Sequence, residues 1–168
     1  MDLYEDSIEA CREALRLKPE FVTAWLWLGR AYNQMTQFDK ALEAFKEVNR
    51  LDPNNALAWA DLGNAYGGLR SRDEALAAYN EAIRLNPQAY YVWSQLGWLH
   101  LDSNHYDDAI SAYREAIRLE PDSAMSWYFL GVAYYHQGDR ERQFQVLHRL
   151  EELDPKKARE FSRIYTRR

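Results

Sequence analysis

Four tryptophans, Trp25, Trp59, Trp93 and Trp127, stand 34 residues apart along the chain. In the same register run Leu28, Leu62, Leu96 and Leu130, then Gly29, Gly63, Gly97 and Gly131, then Tyr32, Tyr66, His100 and Tyr134. A period of this length repeats one supersecondary unit, which cannot bury its apolar face alone and must stack on its neighbours. Each series follows its Trp at an offset that returns to one side of a 3.6-residue helix, here termed helix A. A second series marks helix B: Ala41, Ala75 and Ala109, then Phe45, Tyr79 and Tyr113, then Val48, Ala82 and Ala116. Pro19, Pro53, Pro87, Pro121 and Pro155 close the units, because a proline ring blocks continuation of helix B. The recurring glycine of helix A costs about 1 kcal/mol in helix propensity, so it needs a structural reason. Close approach of helix B through its small alanines is the expected one.

Only five prolines and seven glycines occur in 168 residues, and no run of alternating β-branched residues appears. The composition therefore points to an all-α fold. Aromatic residues make up 14% of the chain, more than a helical bundle filled with Leu and Ala requires. A net charge of -5 argues against a nucleic-acid partner, because phosphate binding draws its affinity from Lys and Arg. Cys11 is the one cysteine and cannot form an internal disulfide. No apolar run approaches the roughly 18 residues that span a bilayer. The N-terminal MDLYEDSIEA lacks the basic and apolar regions of a signal peptide, so the sequence carries no visible address.

The pattern W-x2-L-G-x2-Y, followed by A-x3-F-x2-A and a closing Pro, resembles the tetratricopeptide repeat family over nearly the whole chain. The resemblance implies an all-α, right-handed superhelical solenoid of antiparallel helix pairs. It divides the chain into a partial repeat at 1–21 holding helix B only, repeats at 22–55, 56–89, 90–123 and 124–157, and a capping helix at 158–168. Ser7, Cys11 and Ala14 fill the helix B places of the partial repeat, and its missing helix A reads as a cut from a longer array. Gln143, Leu147 and Leu150 fill those places in the fourth repeat, whose helix B is the least typical. Phe161 and Ile164 fall in register with Trp127 and Leu130, while Tyr165 replaces the glycine. The Lys and Arg of this last segment are expected on a solvated face.

The register tryptophans are expected in the core, as frame rather than ligand site. In the family, five helix A places around the register Trp line a concave groove. Here the resemblance assigns to them Thr23, Leu26, Trp27, Arg30 and Asn33 in the first repeat and Leu57, Ala60, Asp61, Asn64 and Gly67 in the second. Tyr91, Ser94, Gln95, Trp98 and Leu101 take these places in the third repeat, and Met125, Tyr128, Phe129, Val132 and Tyr135 in the fourth. Contiguous apolar surface in such a groove marks an interaction site. Trp27 and Trp98 lie outside the 34-residue register, and the small Ala60, Gly67 and Gly68 on the repeat between them suggest a pocket. An apolar anchor of a partner would settle there, with Asn33, Asn64, Gln95, Arg30 and Asp61 bonding its backbone. A bland alternative packs Tyr91, Tyr128 and Phe129 between repeats or fills the groove with a neighbouring chain. The basic clamp with which some family members hold chaperone C-termini is absent, its places holding Leu26, Arg30, Asp61, Tyr91 and Gln95.

His100, His105, His136 and His148 lack the spacing of a metal site, and no phosphate-binding glycine loop or nucleophile elbow occurs. The expectation is a scaffold that binds a protein or peptide segment, with no catalysis, cofactor or metal. A self-assembling homo-oligomeric scaffold and the regulatory repeat region of a larger enzyme are the alternatives.

Overall fold

The computed structural model describes residues 2–166. Ten α-helices and no strand occur among them. They are α1 (Asp2–Leu17), α2 (Val22–Gln34), α3 (Phe38–Leu51), α4 (Ala56–Gly68), α5 (Arg72–Leu85), α6 (Tyr90–Asp102), α7 (Tyr106–Leu119), α8 (Ala124–Gln137), α9 (Arg140–Leu153) and α10 (Pro155–Tyr165). The residue before each of four prolines or proline-led turns is pushed into extended backbone, which ends the helix. Asp52, Asn86, Glu120 and Asp154 have φ between -134° and -149°. Polar caps then restart the chain. Asn55 accepts from Ala58 N, Ser123 from Ser126 N and Asp139 from Arg142 N. Asp154 accepts from both Lys156 N and Lys157 N in front of α10, with Pro155 in its first turn.

The turn from helix A to helix B uses one left-handed residue each time. Thr36, Arg70 and Asn104 have φ of 56°, 60° and 60°, and Gly138 takes the place at 84°. Gly138 signals this turn most clearly in sequence, because glycine alone adopts it without penalty.

The chain forms two compact units that divide after Pro87. In the first, α2 packs on α1, α3 and α4, and α4 packs on α5. Its core gathers Ile8, Leu28, Tyr32, Leu42, Phe45 and Leu62, with Trp25 and Trp59 against the side. In the second, α7 packs on α6 and α8, and α10 packs on both α8 and α9. Here Tyr113, Leu130, Tyr134 and Val146 form one cluster and Val132, Leu150, Ala158 and Phe161 another.

Two expectations require correction. The helix A glycine makes room for the aromatic ring of helix B, not for its alanines. A Cβ on Gly63 would lie 2.6 Å from the Tyr79 ring. Gly131 has no such ring on α9, where Leu147 replaces it, and Phe161 of α10 comes within 2.8 Å of the same Cβ position. The register tryptophans are half-buried rather than core. The rings of Trp25, Trp59 and Trp127 cover the core edge while their polar tips are held outside: Nε1 of each donates to the carbonyl of Pro19, Pro53 or Pro121, respectively, at 2.8–2.9 Å. An indole buried whole would need an interior acceptor, whereas the preceding proline turn offers one at the surface.

Candidate partner-binding groove

In the first unit the groove places of α2 and α4 hold a connected polar chain. Tyr79 OH donates to Asn64 Oδ1 at 2.9 Å, Asn64 hydrogen-bonds Asp61, and Arg30 Nε donates to Asp61 Oδ2 at 2.6 Å. The Arg30 guanidinium stands 5.5 Å from the Trp27 ring centroid, and Trp27 is 54% exposed. Burial raises the Asp61 carboxyl above its ordinary range, against the lowering effect of Arg30 and Asn64. Burial and the Asp61 charge push the Tyr79 phenol well above its ordinary range. Arg30, Asp61 and Asn64 were expected to serve a partner's backbone, but these contacts already engage them with one another. A pocket of about 580 Å³ opens over this chain, with Tyr4 and Ser7 of α1 facing Trp27, Asn33 and Asn64.

Of the small residues of α4, Gly67 keeps open space at its Cβ position, with Tyr79 Oη the nearest atom at 4.0 Å, and the other two do not. Ala60 is buried, and a Cβ on Gly68 would lie 2.5 Å from the Phe38 ring, so that space is filled by α3. The Trp27 pocket is completed by α1. Neither Tyr4 nor Ser7 was among the expected groove residues, because the helix that carries them shows only helix B periodicity. Leu57 is exposed and Leu26 half-buried.

In the second unit Tyr91, Gln95, Trp98, Met125 and Tyr135 are exposed, Trp98 at 44%. Leu101 packs against the cluster around Tyr113. Val132 is buried against Leu150, Ala158 and Phe161, so it lines no surface. Tyr128 and Phe129 are half-buried: Tyr128 meets Phe129, Phe161 and Tyr165 edge to face, and Phe129 stacks on Tyr113. The part of the aromatic stripe on α8 is thus covered by α10, which the linear spacing of α8 alone does not reveal. Tyr135 also meets the Tyr165 ring, at 5.1 Å between centroids.

Tetratricopeptide repeat models match residues 2–62, 56–89 and 94–158. The chain belongs to the tetratricopeptide repeat family. Solved tetratricopeptide structures superpose over most of it. A crystal structure of MamA is 28% identical, with 93% of this chain and 91% of that chain covered and a TM-score of 0.84. MamA residues 41 to the end from Desulfovibrio magneticus RS-1 are 18% identical, covering 90% and 86% with a TM-score of 0.83. YrrB, described as a TPR protein with an unusual peptide-binding site, is 22% identical, covering 97% and 85% with a TM-score of 0.79. No curated protein sequence matches the chain. As a tetratricopeptide protein it is an interaction scaffold with an all-α fold. Among the described residues no helix is long and apolar enough to cross a membrane, and no group of three or more His, Cys, Asp or Glu could hold a metal ion.

Proposed function

We propose that this tetratricopeptide chain is an adaptor that holds a segment of a partner protein through apolar anchors at its helix A groove places. One observation carries the reading: Trp27 and Trp98 leave about half of their surface in water, while Trp25, Trp59 and Trp127 of the 34-residue register are tied down by proline carbonyls. A large ring kept about half in water is the kind of side chain that anchors interfaces. The pocket beside Trp27 suits an apolar side chain with a neutral backbone, because Arg30 and Asp61 cancel each other's charge. Tyr91 and Met125 extend the apolar surface of the second unit around Trp98. A peptide-binding site in YrrB fits this use of the fold. The chain takes no part in covalent chemistry in this reading.

Selection of binders from a displayed peptide library, followed by calorimetry on the wild type, Trp27→Ala and Trp98→Ala, tests it. Peptides rich in apolar residues that lose about tenfold or more in affinity with either variant support the reading. Peptides that bind both variants at wild-type strength exclude it. A second reading, assembly of copies, is favoured by Leu3 and Leu17, which are 79% and 71% exposed on α1. Sedimentation showing a single monomeric species at all concentrations excludes that one.

A further inference from the structure

A second kind of site recurs in the molecule away from the groove places. In the first unit a cleft of about 380 Å³ is lined by Arg12, Trp25, Tyr32, Lys40 and Glu43. In the second, a cleft of about 290 Å³ between α7, α8 and α9 is lined by Arg114, Trp127, Tyr134, Arg142 and Gln145. Each residue of the second set follows its counterpart by 102 positions, three repeats of 34, so one architectural position has been built twice. In both, a cation stands over the tyrosine ring: Lys40 at 5.5 Å from Tyr32 and Arg142 at 5.8 Å from Tyr134.

The two clefts differ in what remains unsatisfied. In the first, Arg12 Nη2 donates to Tyr32 OH at 2.8 Å, Lys40 donates to Gln37, and Glu43 supplies an acid at the wall. In the second, Gln145 replaces that acid, and Arg114 makes no ion pair among the described residues. Arg142 gives Nη1 to Asp139 at 3.1 Å, which leaves the rest of its fork available. Two guanidinium groups thus flank a cleft whose remaining walls are Gln145, the aliphatic Ile117, Leu130 and Val146, and two rings. A bare hydrated anion gains little from such walls, whereas a carboxylate on a short aliphatic stem meets both features.

We propose that the cleft between α7, α8 and α9 receives a glutamate side chain of a partner segment, its carboxylate held by Arg114 and Arg142 and its methylenes against Ile117 and Trp127. The site uses none of the groove places, so it stands or falls separately from the groove reading. The first-unit cleft, with its own acid and its arginine engaged, is the internal control.

The test is a two-dimensional NMR titration of the whole chain, following the indole N–H signals of Trp127 and Trp25. The probes are N-acetyl-glutamate N-methylamide, the matching glutamine compound and inorganic phosphate. Saturable movement of the Trp127 signal with the glutamate probe is expected, weakened about tenfold or more in Arg114→Gln and in Arg142→Gln. Trp25 should respond at least about tenfold more weakly. Equal response to the glutamine probe, equal or stronger binding of phosphate, equal response at Trp25, unchanged binding in both variants, or no movement to tens of millimolar each overturns the proposal. Arg114 is exposed, and unchanged thermal melting of its variant separates lost binding from lost folding.

Discussion

Tyr113 carries a fully buried hydroxyl with no hydrogen-bond partner, because Trp98 stands where the preceding repeat places Asn64 to accept from Tyr79. The consequence is opposite signs for one chemical change. Tyr79→Phe removes a made bond and is expected to cost about 1 kcal/mol, while Tyr113→Phe removes an orphan and is expected to gain about 1 kcal/mol. Trp98→Asn supplies the missing acceptor, so in that background Tyr113→Phe should lose its benefit. Denaturant unfolding of Tyr79→Phe beside the wild type, and of the wild type, Tyr113→Phe, Trp98→Asn and their combination as a double-mutant cycle, measures this.

Thr36 is a β-branched residue held at φ 56°, in a turn that the fourth repeat makes with Gly138 and the third with Asn104. Left-handed backbone is costly for such a side chain and tolerated by Asn. Thr36→Asn, borrowing the residue of the third repeat, is expected to raise stability by about 0.5–1 kcal/mol. Thermal and chemical denaturation read the gain.

Gly63→Ala would normally strengthen a helix by about 1 kcal/mol. Here the new Cβ would meet the Tyr79 ring at 2.6 Å, and that ring is buried and tied to Asn64. Overpacking is expected to win, with a net loss of about 1–2 kcal/mol. In a Tyr79→Ala background the same substitution should turn stabilising.

The Arg30 and Asp61 ion pair should respond unequally to truncation. Asp61 has 18% of its side chain exposed and Arg30 32%, so loss of Arg30 strands the more buried charge. Arg30→Ala is expected to cost about 2–3 kcal/mol, and Asp61→Asn less than about 1 kcal/mol because the amide keeps a polar partner for Arg30. The pH dependence has a definite sign. Burial already raises the Asp61 carboxyl above 3.8, and removing Arg30 raises it further. The folded Arg30→Ala protein then binds a proton more readily than the unfolded chain. Its stability should climb as pH falls from the raised value toward 3.8 and level off below it. Urea unfolding of the variant between neutral and acidic pH checks the slope.

The helices were legible because their apolar residues return every turn and every 34 residues, which is a property of the linear order itself. The left-handed turns at Thr36 and Arg70 were not, since those residue types do not announce positive φ as Gly138 and, more weakly, Asn104 do. Among the groove places, Trp27, Trp98 and Met125 are helix A positions that the fold leaves exposed. The register gives no warning that Val132 is buried by α10 or that Asp61 and Asn64 are already engaged with Arg30 and Tyr79.

The sequence by itself determined the repeat, its two helices and the glycine that the repeat conserves within the chain, because periodicity encodes which face of each helix is apolar. Only the tertiary structure decided which polar groups remain free, what Gly63 and Gly131 make room for, and where Arg114 and Arg142 meet around one cleft. Those outcomes depend on side chains that are distant in the chain arriving within a few ångströms of each other. A period along one helix carries no information about which atoms of the next will reach it.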